Sequence, residues 1–157
     1  MHVHPLTRRR PDGTPLQRSP HVEAQIVRVL ALSPDELMQR AALRDSRTTE
    51  YLQEETLVYL IRAFHHFGDS GVVNALSEAL LRRCVRFIHQ KLSALGKNEA
   101  EEAYGEVIRQ LFERILDLNT DRGDFLQVRF WVVLKRLTIS IFRGYMARIN
   151  EERVSTK

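Results

Sequence analysis

The chain has 157 residues, of which 43% are hydrophobic and 28% charged, with only 7 Gly and 5 Pro; this is enough for one compact domain with its own core. The first twenty residues lack the apolar core of a signal peptide, and no later segment approaches an uncharged membrane span, so we expect neither export by that route nor a membrane anchor. The formal net charge of +4 favours a polyanionic partner only if the charge is concentrated on one surface.

Residues 1–32 are predicted to be a flexible basic arm and lead-in. Up to about Pro20 the segment consists of Arg, Pro, Gly and polar residues without periodicity. Its three consecutive arginines, Arg8, Arg9 and Arg10, can contact phosphates or form a solvated tail, and the sequence leaves both alternatives open.

Residues 33–150 are predicted to form a compact all-α bundle of about five helices. Apolar residues recur at helical intervals and no strand-like alternation of useful length is present. The first of these helices has a strong start signal, because Ser33 and Glu36 form a capping box around a proline at the first helical position. It is expected to end at about Leu43.

Two longer helices follow in the sequence. The second begins after Thr48 or Thr49 and ends at Gly68, and the third runs from residue 70 to Gly96. The apolar positions of the third are Val72, Val73, Leu76, Leu80, Cys84, Phe87, Ile88 and Leu92. Because Cys84 is the only cysteine it cannot form an intramolecular disulfide, and its apolar neighbours indicate a buried thiol. A cytoplasmic location is expected.

The fourth helix is predicted to begin with a capping box formed by Asn98 and Glu101. One side of it is apolar, with Tyr104, Val107, Ile108, Leu111 and Ile115. The other side is strongly polar and consists of Glu102, Glu106, Arg109, Gln110 and Glu113.

The fifth helix is predicted to start at Asp124, with Gln127 completing a third capping box, and to continue to about Ile149 before a frayed tail over residues 151–157. Its core face is Phe130, Val133, Leu134, Leu137 and Ile141. Its cations fall elsewhere: Arg129, Arg136 and Arg143 are seven residues apart and so share one row, with Lys135 beside it. Aligned cations can neutralise phosphates, or they can be the solvated edge of a core helix.

Two adjacent aromatic residues at the start of this helix, Phe130 and Trp131, bear on that choice. Adjacent side chains point in different directions on a helix, so at most one of them is expected in the core. The other can stack on an unpaired base or simply pack against the bundle.

No constellation typical of an enzyme is found in the sequence. The histidines are His2 with His4, the adjacent and therefore divergent His65 and His66, and the isolated His21 and His89. There is no phosphate-binding glycine loop and no nucleophile motif. We therefore expect no catalysis, no cofactor and no metal site.

The order NEAEEAYGEVIRQLFERI, a short acidic linker and then DFLQVRFWVVLKRLTISIFRGY resembles region 2 of bacterial RNA polymerase sigma factors of the sigma-70 class. The resemblance covers roughly residues 50–148 and is most specific over 99–143. It implies a transcription-initiation protein that binds core RNA polymerase, through the clamp helices of the largest β-type subunit, and the promoter minus-ten region, assisting DNA opening.

Carried over by position, the resemblance assigns two surfaces. The polymerase-binding residues would be Glu102, Glu106, Arg109, Gln110 and Glu113. The residues that contact promoter DNA, including the unpaired non-template strand, would be Arg129, Phe130, Trp131, Lys135, Arg136 and Arg143. The helices from Tyr51 to Leu95 would mainly be scaffold.

One part of a complete sigma factor is not expected here. Fewer than ten residues follow the last predicted helix, too few for the helix-turn-helix region that binds the minus-thirty-five element, so a second polypeptide could supply the upstream contacts. The alternative is a helical interaction module that binds the polymerase clamp or another protein without melting DNA. An exposed Trp131 beside Arg136 would favour the first function, and a Trp131 buried with Phe130 would favour the second.

Overall fold

The computed structural model describes residues 3–155, and over that range the chain forms six α-helices, one 3₁₀ helix and no strand. The elements are α1 (Pro20–Val29), α2 (Pro34–Ala41), α3 (Glu54–His66), α4 (Ser70–Lys91), α5 (Lys97–Leu116), the 3₁₀ helix (Phe125–Gln127) and α6 (Phe130–Ser155). The all-α prediction is confirmed, with one helix more than the five expected. No helix in the described range has both the length and the apolar composition needed to cross a bilayer.

The additional helix is α1, within the segment predicted to be an arm and lead-in. Ser19 is its N-cap and accepts a hydrogen bond from the Val22 backbone N–H at 3.2 Å, while Pro20 occupies the first helical position. Val22, Ile26 and Val29 are buried, on the side that packs against α3. The lead-in after Pro20 therefore contains a helix that was not predicted, although its Ser-Pro start signal is of the same kind as the one that identified α2.

The residues before α1 also lie against the bundle. The Asp124 carboxylate accepts hydrogen bonds from the backbone N–H groups of Thr7 and Arg8, each at 2.8 Å. Leu6 and Leu16 are buried, whereas the arginines at 8–10 are exposed. The predicted basic character of this segment is present, but its backbone is hydrogen-bonded to the domain.

The central helix of the bundle is α3, which contacts α1, α4, α5 and the 3₁₀ helix. Its consecutive residues 56–61 are all buried, as expected for a helix surrounded by others. It begins at Glu54 rather than after Thr48 or Thr49. Gln25 of α1 replaces a local cap, because its Oε1 accepts from the Gln53 N–H at 2.8 Å and from Thr56 Oγ1 at 2.6 Å.

The three predicted capping boxes have different outcomes. The Ser33 hydroxyl does cap α2, accepting from the Glu36 N–H at 3.2 Å. The box at Asn98 was wrong, because the N-cap of α5 is Gly96, two residues earlier, and no side chain caps the helix. The box at Asp124 was also wrong, because that carboxylate is bonded to the N-terminal segment and α6 begins only at Phe130.

Arg62 of α3 closes the C-terminal end of α5. Its Nη1 donates to the carbonyl oxygens of Ile115 at 2.8 Å and Asp117 at 3.0 Å, groups that a helix end leaves without intrahelical partners. Gly123 packs directly on this guanidinium, and a Cβ at that position would lie 2.3 Å from Nη1. The backbone after α5 is therefore fixed by a partly buried cation from another helix.

The ends of α4 and α6 differ from the predicted ends, whereas the single cysteine lies where it was expected. α4 ends at Lys91, short of Gly96, and α6 continues past Ile149 to Ser155, so the fraying predicted for residues 151–155 is not seen. Residues 156–157 of that tail, and His2 near the start, lie outside the described residues. The prediction of a buried thiol is confirmed: Cys84 has no exposed surface, and burial raises its thiol pKa to about 12.

Candidate nucleic-acid and protein-binding surfaces

The first candidate surface is the arginine row of α6, defined as Arg129, Arg136 and Arg143. All three side chains are exposed. The seven-residue spacing keeps Arg136 and Arg143 on one flank of α6, with a drift of about 20°, and Arg129 is the residue immediately before the helix begins. None has an ion pair or side-chain hydrogen bond within residues 3–155. The row is thus a line of cations available to a ligand.

Trp131 lies on the opposite flank of α6. At about 100° per residue it is roughly 140° around the helix from Arg136, but only about 40° from the exposed Lys135. Its ring packs on Phe87 of α4, with 5.4 Å between ring centroids, and 36% of the residue remains exposed. The structure therefore matches neither expected arrangement: Trp131 is partly exposed, but it is not beside Arg136.

Phe130 does not belong to a DNA surface. The side chain has no solvent-accessible area, because it occupies the core-facing position at the first turn of α6 among Leu126, Val133 and Leu134 in the hydrophobic core. The assignment of Phe130 as a DNA contact was wrong. The expectation that only one of the two adjacent aromatics would be a core residue is confirmed.

The indole of Trp131 is held in place by a buried carboxylate that the sequence did not indicate. Glu54, 5% exposed, accepts from Trp131 Nε1 at 2.8 Å, from Arg83 Nη1 at 2.7 Å and from the Tyr51 hydroxyl at 2.8 Å. Arg83 also donates to the Leu52 carbonyl and lies over the Tyr51 ring at 4.1 Å. We call these four side chains, Tyr51, Glu54, Arg83 and Trp131, the Glu54 hub; they join α3, α4 and α6.

A second group of cations lies on the Trp131 side of the molecule. Arg44 follows α2, and Arg82 and Arg86 are one turn apart on α4; with Trp131 they line the same cavity. The sequence interpretation treated the helix that carries Arg82 and Arg86 as scaffold. The spacing of Arg82 and Arg86 at i and i+4 puts them on one helix face, but only the fold brings Arg44 and Trp131 to that face.

The polar side of α5 is the other predicted surface. Arg109 is bonded to the carboxylates of both Glu106 and Glu113, and Gln110 Nε2 donates to Glu106 at 2.7 Å. The hydrogen bond from the Arg109 guanidinium lowers the pKa of Glu106. Glu102 is exposed on the same face. The five predicted residues are thus brought together, but four of them form an internal network that a partner would have to accommodate or open.

The resemblance to sigma region 2 rests on the sequence pattern alone. No family model, curated protein or solved structure matches the chain. Family, partners and function therefore stay predictions.

Proposed function

We propose that this chain is a sigma-like transcription-initiation protein that binds core RNA polymerase through the polar face of α5 and opened promoter DNA through α6. The observation that carries the proposal is the arginine row, since its three exposed guanidinium groups have no partner in the described residues. Several other arginines of the chain are committed to internal contacts, among them Arg62 and Arg83. Arg18, for example, is buried and donates to Gln127, Glu23 and the His4 carbonyl.

The electrostatics of α6 suit a nucleic-acid strand. No acidic residue occurs between Asp124 and Glu151, so no carboxylate lies on α6 before its last turns, and none lies between the members of the arginine row. Each guanidinium that contacts a phosphate releases a counterion, which makes affinity depend on salt rather than on sequence. The row would therefore position DNA, and base recognition would depend on other side chains.

Trp131 would supply the base contact. An exposed aromatic can stack on an unpaired base for roughly 1–3 kcal/mol, which offsets part of the cost of unstacking it. Because a helix with its side chains is about 10–12 Å across, a strand that crosses the first turns of α6 can reach both Trp131 and the arginine row. Lys135 lies on the Trp131 side of such a path.

The polymerase contact is tested by co-purification of core RNA polymerase on the tagged full-length chain. We expect recovery of polymerase by the wild type and loss of recovery after Glu106→Lys combined with Arg109→Glu, which reverses the charges of the α5 face. Both changes are at exposed or half-exposed positions, and exposed ion pairs contribute only about 0–1 kcal/mol, so the fold should survive. Glu50→Lys, at an exposed position outside α5, is the matched control. Absence of polymerase from the wild-type sample would remove this half of the proposal.

The alternative function, an interaction module that binds polymerase or another protein without melting DNA, is favoured by one observation. Phe130 is fully buried and the Trp131 N–H is bonded to Glu54, so the aromatic pair offers less to DNA than the sequence indicated. Recovery of polymerase together with no binding of single-stranded DNA would select this alternative.

A further inference from the structure

A cavity of about 340 Å³ opens between the end of α2, the middle of α4 and the first turn of α6. Its volume is at the lower end of the range of about 300–1,000 Å³ that is usual for small-molecule sites. Its polar and aromatic lining consists of Arg44, Tyr51, Arg82, Arg83, Arg86 and Trp131. Alanine and leucine side chains from the end of α2 and from α4 complete the wall.

The four arginines of this cavity do not contribute equally. Arg83 is paired with the buried Glu54 at 2.7 Å, and Arg82 with Glu78 at 2.6 Å. Arg44 and Arg86 are exposed and have no partner among residues 3–155. The cavity therefore has an excess of two positive charges, which matches the charge of about −1.5 to −2 of a phosphate monoester. Guanidinium groups are also the side chains best suited to bidentate phosphate contacts.

The aromatic wall is fixed before any ligand arrives. The Trp131 N–H is bonded to Glu54 at 2.8 Å and the ring rests on Phe87, yet 36% of the residue is exposed. A ring held in this way loses little conformational freedom when a ligand stacks on it. The apolar wall from α2 and α4 favours a flat hydrophobic ligand over a hydrated ion.

We propose that this cavity binds a free purine nucleotide, with the base on Trp131 and the phosphate between Arg44 and Arg86. The proposal goes beyond the promoter function: it shares Trp131 with that function, but its phosphate site is formed by Arg44 and Arg86 and it does not require the arginine row. A base within a DNA strand offers the same ring and phosphate, so the two sources have to be separated by experiment.

Trp131 is the only tryptophan in the chain, so its fluorescence reports directly on the cavity. The full-length protein is titrated with GMP, GDP, AMP and ADP, and in parallel with guanosine, with inorganic phosphate and with a short single-stranded oligonucleotide; calorimetry confirms each affinity. We expect saturable quenching by at least one nucleotide, with tighter binding than by guanosine or phosphate alone. Absence of saturable quenching and of binding heat would overturn the proposal.

Variants locate the site. Arg44→Ala combined with Arg86→Ala removes two charge-assisted contacts, so nucleotide affinity should fall at least about tenfold. Arg28→Ala, at an exposed position on α1, should leave it unchanged. Circular dichroism verifies that each variant is folded. Equal affinity of the double variant and wild type, equally tight binding of phosphate alone, or tighter binding of the oligonucleotide than of any nucleotide would each contradict a free-nucleotide site. A failure here leaves the promoter proposal standing, because that proposal is tested on Arg136 and Arg143.

Discussion

Replacing Glu54 by alanine should destabilise the protein strongly, because Glu54 is the shared acceptor of the Glu54 hub. The side chains of Glu54 and Arg83 are only 7% and 10% exposed, and removing one partner of a buried pair costs about 3–5 kcal/mol. Arg83 keeps the carbonyl of Leu52 as an acceptor, so we expect the lower end, about 3 kcal/mol. For a chain of this size that corresponds to a fall of about 6–12 °C in melting temperature.

Urea unfolding followed by circular dichroism and by Trp131 fluorescence measures this loss. The native fluorescence of Glu54→Ala should also differ from that of the wild type, since the indole N–H loses its acceptor. Glu78→Ala is the matched control, because it breaks an exposed pair with Arg82. The Glu78 side chain is 64% exposed and the Arg82 side chain 54%, so the substitution should cost about 0.5 kcal/mol or less. A loss below about 1 kcal/mol for Glu54→Ala would refute the view that the hub joins α3, α4 and α6.

Three further predictions follow from the packing. Gly123→Ala should lower the free energy of unfolding by about 1–3 kcal/mol, because the new Cβ overlaps the Arg62 guanidinium. Gly105→Ala, in open space on α5, should instead raise the free energy of unfolding by about 0.5–1 kcal/mol. Equal shifts of the two variants in urea unfolding would contradict this. Burial raises the pKa of the Cys84 thiol from 9.0 to about 12. The unfolded state therefore releases that proton first, and the free energy of unfolding should fall as pH rises through this window. The free energy of unfolding of Cys84→Ala should fall less steeply with pH, and an identical pH dependence in the two proteins would exclude the effect. Asp124→Ala should release the N-terminal segment and speed tryptic cleavage after the buried Arg18, as measured by mass spectrometry, and an unchanged rate would argue against the Asp124 contacts.

Periodicity predicted what depends on a single helix. The stripe of α4, including Leu76, Leu80, Cys84 and Ile88, is buried as expected, and the cap at Ser33 is formed. These features depend on contacts within a few residues, so the sequence pattern contains the information needed to predict them.

The wrong predictions arose where distant residues compete for the same group. Asp124 has the sequence position of an N-cap, but its carboxylate is bonded to Thr7 and Arg8, more than 100 residues away in sequence. The start of α3 was misplaced for a similar reason, since Gln25 caps it from another helix. Local capping rules cannot anticipate an acceptor or donor that the fold supplies.

The candidate site shows the same division. The exposed arginine row and the polar face of α5 could be predicted, because each lies on one helix. The separation of Trp131 from Arg136 could also be predicted. Two residues five positions apart on an α-helix are about 140° apart around its axis. The Glu54 hub and the cavity with Arg44 and Arg86 could not be predicted, because they join residues of several helices.

The most direct test of the promoter function is the salt dependence of binding to fluorescently labelled single-stranded DNA, measured by anisotropy. If the arginine row provides three phosphate contacts, log affinity should fall with log salt with a slope of about −2. Arg136→Glu combined with Arg143→Glu should weaken binding and flatten that slope, whereas Arg28→Glu on α1 should do neither. Binding that is absent or insensitive to salt in the wild type, or the same in the double variant as in the Arg28→Glu control, would contradict the account.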